Sequence, residues 1–546
     1  MSKSIFQTKT TFERFGILID NSRVAVMNVS TAKRMIDIME KLGYNTLMLY
    51  TEDTYEVDGQ PYFGHLRGRY KKTELKEMNQ YAAAHGIELV PCIQTLAHLN
   101  CLMYWREYAM ISDCNDILCV GEDKVYQLIE DMFVTLSECF TTRLVNIGMD
   151  EAGMVGLGRY LNKHGYRNRI EILREHLEKV SNIAKKYGFI LCMWSDMFYK
   201  LATGGYHEQE SGEIDLSVSA MIPDNVRLIY WDYYSTDKSH YDNWIKEHEK
   251  LKPGTMFAGG LWTWTGFVPH NRYAIETGTA ATQSCLEHQV KDVFYTIWGD
   301  NGNECSRFAV LPAMFYNACI AHGIQDEVKM KQKFQECFGI AFDDYMLVDL
   351  PGTASADGND VNPDKHMLYC DCLLGKFDLN VRENDAKEYA LMAKRLEPLT
   401  HHAEFGATFA TLKALCDVLA IKFDLGVRTR EAYLSGDREK VKEMLADYDA
   451  VIEKIELFYE AFRRQWLIEN KPHGLDVHDT RIGGLLHRVK SCKRRLDDYV
   501  CGQIERIEEL EEPVLDFRCR GEFIAEEDKH SFGHYAWGSS VTASII

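Results

Sequence analysis

The feature that most constrains this chain is an alternation of strand and helix signals that recurs eight times between Phe15 and Asp300. Short apolar runs rich in branched and aromatic residues are each followed by a stretch with apolar residues at helical spacing. The strand runs are Phe15–Asp20, Asn45–Tyr50, Ile87–Gln94, Leu144–Met149, Phe189–Asp196, Arg227–Tyr234, Met256–Trp264 and Val293–Asp300. Between them lie stripes such as Met35, Ile38, Met39 and Leu42, opened by Ser30 and stopped by Gly43. Another carries Val125, Leu128, Ile129, Met132, Phe133 and Leu136. The last helix of the series is expected near Thr282–Val290. Eight β–α repeats predict an α/β fold, a (β/α)8 TIM barrel with loop insertions, over residues 1–330.

Beyond this the pattern changes. Gly352–Pro363 is rich in Gly, Asp, Asn and Ser and reads as a loop. Long helical patterns follow at Glu388–Leu396, Ala407–Phe423, Arg438–Trp466 and Ile482–Cys501, with a few strands expected in Val514–Ile546. Residues 331–546 are therefore expected to form a mainly α-helical C-terminal region, packed on the barrel or used to build a homodimer.

The chain has 546 residues and a formal net charge of -20. That balance argues against nucleic acid and anionic membrane as partners and favours a neutral ligand or a cation. Residues 1–10 lack the apolar core of a signal peptide, and no apolar run approaches a membrane span. The 16 cysteines are scattered through apolar patterns, which predicts buried thiols in a reducing, cytoplasmic setting. Cys370 and Cys372 form a tight pair without a second pair at zinc spacing, so no metal site is expected. No Gly-rich phosphate loop is present, and no cofactor is expected.

In a barrel of this kind chemistry sits at the C-terminal ends of the strands. Those ends here carry Asp20 and Arg23, Glu52 and Asp53, His98, Asp150 and Glu151, Trp194 and Asp196, Asp232, Trp262 and Trp264, and Trp298 and Asp300. Aromatic walls with carboxylates and an arginine suit a sugar, whose C–H faces lie on tryptophan and whose hydroxyls take charge-assisted hydrogen bonds. The centre of the set is Leu144–Glu151, an apolar run ending in two adjacent acids. Alternation along a strand puts Asn146, Gly148 and Asp150 on one face and Val145, Ile147 and Met149 on the other. Adjacent acids do not flank a glycosidic bond from opposite sides, so one is expected to protonate while the other positions something. Glu151, beside an anionic Asp150 and among tryptophans, is expected to have a raised pKa.

Gly148-x-Asp150-Glu151 at the end of strand four resembles the signature of family 20 glycoside hydrolases, the β-N-acetylhexosaminidases. Asp20-x-x-Arg23, His98, Trp194, Tyr230-x-Asp232 and Trp298-x-Asp300 support the resemblance, which covers roughly residues 10–325. It implies a short form without the small α+β domain that often precedes the barrel. It also implies a glycan substrate ending in β-linked N-acetylglucosamine or N-acetylgalactosamine, and retention through an oxazolinium formed by the substrate's own acetamido oxygen. Glu151 would be the general acid and base, and Asp150 would hold the acetamido N–H. Tyr230, Tyr233 or Tyr234 would bond the acetamido carbonyl. Trp194, Trp298 and either Trp262 or Trp264 would wall the acetyl methyl. Arg23 and Asp300, with Glu304 as a further candidate, would hold ring hydroxyls, Asp232 would stand among the substrate-binding residues, and His98 would support Glu151. The family commonly has His-x-Gly-Gly-Asp-Glu, whereas this chain has Asn146 and Met149 at the first and fourth positions. Two other readings fit the residues: a barrel glycosidase with a conventional carboxylate nucleophile, and a non-catalytic sugar-binding protein.

Overall fold

The structure is a computed structural model, and it describes residues 4–6, 9–203, 216–353, 362–517 and 537–544. The chain divides into two compact units. The first comprises residues 1–261, 274–298 and 313–338; the second comprises 262–273, 299–312 and 339–546.

The first unit holds a closed barrel of eight parallel strands in sequential order, as the alternation predicts. The strands are β1 (Arg14–Asp20), β2 (Thr46–Tyr50), β3 (Glu88–Cys92), β4 (Leu144–Asn146), β5 (Ile190–Trp194), β6 (Val226–Trp231), β7 (Met256–Gly260) and β8 (Asp292–Ile297). β1 closes the barrel on β8, with Gly16 opposite Phe294. A Cβ on Gly16 would stand 2.6 Å from the Phe294 ring and 2.7 Å from Thr46 O, so only glycine fits this approach. Most strand residues are fully buried between interior and covering helices, as both-faced burial of a parallel sheet requires.

The two ends of the barrel are chemically different. At the strand starts, Arg14 pairs with Glu88 at 2.8 Å and Asp292 at 3.2 Å, and Arg227 also pairs with Asp292. These pairs tie β1, β3, β6 and β8 together, a structural use of charge. The carboxylates and tryptophans of the candidate site stand at the opposite, C-terminal end.

Several elements depart from expectation in their bounds. β4 stops at Asn146 instead of running to Met149, because Gly148 (φ 70°) and Met149 (φ 67°) are left-handed. β6, β7 and β8 also end short of Tyr234, Trp264 and Asp300. Asn28, not Ser30, caps the first helix, Val29–Lys41, its Oδ1 accepting the Thr31 N–H at 2.8 Å. The last helix of the β–α series is Asn271–Glu287, which begins before Thr282.

The second unit is helical. Its longest helices are Gly406–Lys422, Arg438–Glu469 and Leu475–Val500. Phe267, Phe458, Phe462, Trp466 and His478 pack edge-to-face in its core. Inside it, Lys365 Nζ donates to Glu304 Oε2 at 2.6 Å, with Arg481 Nη1 3.4 Å from the other oxygen. Glu304 is thus engaged by two cations of its own unit. Of the strands expected in Val514–Ile546, residues 518–536 and 545–546 lie outside the described residues, and Trp537–Val541 is a helix. Part of the expected loop Gly352–Pro363, residues 354–361, also lies outside them.

Candidate active site

The C-terminal mouth of the barrel gathers side chains from the ends of seven strands. Asp20 ends β1 and is fully buried; its Oδ1 accepts from Ser22 N and Oγ, each at 2.8 Å. Its Oδ2 accepts from Arg23 Nη1 at 3.1 Å. The same guanidinium lies 3.4 Å from Glu52 and over the rings of Tyr50 (4.7 Å) and Trp298 (5.1 Å). Its position is therefore fixed by two carboxylates and two aromatic faces. Burial pushes the Glu52 carboxyl up, and Arg23 opposes that rise. Tyr50 Oη donates to Glu52 Oε1 at 3.2 Å.

Beyond β4 the chain remains tied to its neighbours. Thr95 N donates to Ile147 O at 3.2 Å, Ile147 N to Cys192 O at 2.9 Å, and Trp194 N to Gly148 O at 3.3 Å. Asn146 Oδ1 accepts the Gly148 N–H at 2.9 Å, and Gln94 Oε1 accepts the Met149 N–H at 3.2 Å. A Cβ on Gly148 would overlap the Gln94 amide, so that position combines positive φ with close approach. The extended alternation expected as far as Asp150 is thus replaced by a turn that aims Asp150 and Glu151 separately.

Asp150 is buried; its Oδ1 accepts from Gln94 Nε2 at 2.8 Å, and its Oδ2 stands 3.1 Å from His98 Nε2. Burial alone would raise its pKa, but His98, Gln94 and Arg23 together hold it below the usual aspartate range. The imidazole is affected reciprocally. Burial would lower His98, yet the Asp150 carboxylate raises it to about 9. His98 Nε2 is also 3.4 Å from Glu151 Oε2, so it stands between the two acids and nearer to Asp150.

Glu151 differs from expectation. Its side chain is 60% exposed, so the burial among tryptophans on which a raised pKa was predicted is not found. A buried carboxyl beside it is Asp196, two residues beyond β5. Burial first, and then the charge of Asp150, push it to about 7. Asp196 Oδ2 accepts the backbone N–H of Glu151 at 2.9 Å, which anchors a residue whose φ is 53°.

The aromatic residues divide. Trp194 and Trp298 are buried, with ring centres 5.9 Å apart. Trp298 Nε1 donates to Tyr233 Oη at 3.0 Å, which fixes Tyr233 at the mouth. Tyr230 is placed otherwise. Its ring stacks on His248 of the helix Lys238–Leu251, and its hydroxyl donates to Asp232 Oδ2 at 2.9 Å. Asp232 also meets His240 Nε2 at 2.7 Å and accepts the Tyr234 N–H. Tyr230 and Asp232 therefore face the helix layer, contrary to the expectation that they bind substrate. β6 ends at Trp231, so Tyr230 is held within the strand while Tyr233 follows after the chain has left it.

Trp262, Trp264 and Asp300 belong to the second unit. There Trp262 (φ 48°) stacks on Trp264 at 4.6 Å, and Asp300 is exposed. Gln94 and Tyr50 were not among the expected site residues, whereas Asp196 was expected at a strand end without an assigned role in the acetamido-dependent reading. Each is nonetheless a polar or aromatic residue at, or just past, the C-terminal end of a strand. Among the described residues no group of three or more His, Cys, Asp or Glu side chains could hold a metal ion.

Residues 12–248 match the model of the glycosyl hydrolase family 20 catalytic domain, and residues 343–526 match that of the glycoside hydrolase 20C C-terminal domain. The chain belongs to glycoside hydrolase family 20. The catalytic-domain match contains Asp20, Arg23, His98, Asp150, Glu151 and Asp196. Similar proteins include a chitooligosaccharidolytic beta-N-acetylglucosaminidase of Ostrinia furnacalis. It is 23% identical over 338 residues, which are 57% of this chain and 51% of that protein. Hexosaminidase D of Bos taurus is 23% identical over 272 residues, which are 47% of this chain and 70% of that protein. The chain thus spans about half the length of the first relative. Among solved structures, a beta-N-acetylhexosaminidase from Bacteroides fragilis is 18% identical, with a TM-score of 0.44 over 60% of this chain and 70% of that one.

Proposed function

We propose that this family 20 chain is a retaining exo-β-N-acetylhexosaminidase, removing terminal β-linked N-acetylglucosamine or N-acetylgalactosamine by substrate-assisted catalysis. The observation that carries the reading is the division of labour between two neighbouring acids. Asp150 is buried and held anionic by His98, Gln94 and Arg23, while Glu151, 3.4 Å from the same imidazole, stays 60% exposed. An anion beside the substrate's acetamido nitrogen offsets the positive charge that develops there. The acetamido oxygen bonds to C1 as the C1–O glycosidic bond breaks, and Glu151 gives its proton to the leaving oxygen. Glu151 then takes a proton from water, which attacks C1 and reopens the ring, so the configuration is retained.

In this reading Trp194 and Trp298 wall the acetyl methyl and Tyr233 donates to the acetamido carbonyl. Arg23, set by Asp20 and Glu52, holds ring hydroxyls. A bound sugar would itself cover Glu151 and remove it from water. The free thiols buried in the fold, such as Cys92, Cys192 and Cys285, suit a reducing compartment.

The test is release of p-nitrophenol from the N-acetylglucosaminide, the N-acetylgalactosaminide and the plain glucoside, with and without a thiazoline mimic of the cyclic intermediate. Turnover of the acetamido sugars alone, inhibited by the thiazoline, is expected. Equal turnover of the plain glucoside without thiazoline inhibition would establish a conventional nucleophile instead.

A further inference from the structure

Two loops of the first unit rise from the strands that carry Tyr50, Glu52, Gln94 and His98. One follows β2 and contains Tyr62, His65 and Leu66; the other follows β3 and contains Tyr104 and Trp105. Their rings form one cluster. Trp105 lies 5.4 Å from Tyr62, 5.3 Å from His65 and 5.5 Å from Tyr104. The cluster is open to solvent at its edges: Tyr104 is 81% exposed and Tyr62 41%, with Trp105 half-buried between them. Aromatic surface gathered in this way marks a contact site more often than it marks chance.

We propose that Tyr62, His65, Tyr104 and Trp105 form the platform on which the leaving-group sugars of an oligosaccharide substrate lie. This rests on the hexosaminidase reading above and names the part of the substrate that the catalytic residues do not touch. Three observations carry it.

The first is rigidity. Tyr108 Oη donates to Gln60 Oε1 at 3.1 Å, joining the two loops, and Gln60 Nε2 donates to Asp131 at 2.9 Å. Phe63 is fully buried against Tyr55, and Arg67 binds both Asp53 and the Ser22 carbonyl. The exposed rings are therefore held by buried neighbours, and a ligand need not order the loops to use them.

The second is continuity with the mouth. The short helix Asn100–Met103 begins two residues after His98, and Tyr104 follows it directly. Cys101 lies within the field of Arg67, Asp53, Glu52 and Arg23. An exo-acting site that holds the terminal sugar at Asp150 and Glu151 must let the remainder of the glycan leave through this end of the barrel.

The third is chemistry. Pyranose rings present apolar C–H faces to aromatic rings and hydroxyls to the polar groups beside them. Here those groups are His65 itself and the exposed Arg106 and Glu107. The net charge of -20 disfavours an anionic surface as the occupant.

The experiment compares Trp105→Ala and Tyr62→Ala with the unaltered protein on two substrates. One is the β-fluoride of N-acetylglucosamine, whose leaving group is a single atom; the other is its β-1,4-linked trisaccharide. The expected result is a fall of about tenfold in kcat/KM for the trisaccharide, with the fluoride unchanged within about twofold. Trisaccharide turnover unaffected by both substitutions, with the fluoride still hydrolysed, overturns the platform and leaves the activity standing. Absence of turnover of either substrate by the unaltered protein overturns the activity, and the platform falls with it.

Discussion

The residue that governs the site is His98, because it sits within 3.4 Å of both acids. Its pKa, raised from 6.5 to about 9, means that the favourable pairing is fully present below about pH 6.5 and is lost as pH rises through about 9. Asp150 has the opposite sign: its contribution is present above the ordinary aspartate pKa and is lost as acid reaches its lowered folded value. For His98→Ala we expect kcat to fall about 100-fold and the acid limb of the kcat/KM profile to move to higher pH, as read from a rate–pH series. Glu151→Gln should abolish hydrolysis of unactivated glycosides by about 1000-fold or more while substrate binding is retained. Asp196 predicts a different outcome. Its raised pKa makes folding less favourable as pH climbs from the ordinary value to about 7. Asp196→Asn keeps an acceptor for the Glu151 N–H, so it should raise the melting temperature at pH 8 by about 2 °C or more and change it little at pH 4. Sequence could locate Asp150, Glu151, His98 and Arg23 because each is a charged group at a strand end. It could not choose among Tyr230, Tyr233 and Tyr234, since the choice depends on where β6 stops, nor foresee Gln94, whose role depends on the partner loop.

At the level of elements, strand number and order were legible because each apolar run is followed by a helical stripe and a stop. Strand ends were not. In β4 the apolar letters continue to Met149, but the backbone leaves the ladder after Asn146. Hydrophobicity reports burial, and a buried turn beside Gln94 is as apolar as a strand. That turn depends on Gly148. Gly148→Ala combines positive φ with overlap of Gln94, so we expect a loss of about 1–3 kcal/mol in chemical denaturation and a larger relative loss of kcat, since Asp150 shifts with the turn. Gly16→Ala should cost a similar amount through the Phe294 contact while leaving KM unchanged.

For the whole molecule, the second unit has its own buried charge. Lys365→Met leaves Glu304 with Arg481 alone at 3.4 Å, and we expect a loss of about 3 kcal/mol in urea unfolding followed by tryptophan fluorescence. Pairing it with Glu304→Gln should restore much of that loss, because the uncompensated charge is then gone. The path of the chain carries a further consequence. Segments 262–273 and 299–312, which follow β7 and β8, are members of the helical unit, so the polypeptide passes back and forth between the two before residue 339. Parts threaded in this way cannot be traded like beads on a string. A truncation anywhere within residues 262–312 would remove segments that belong to both units.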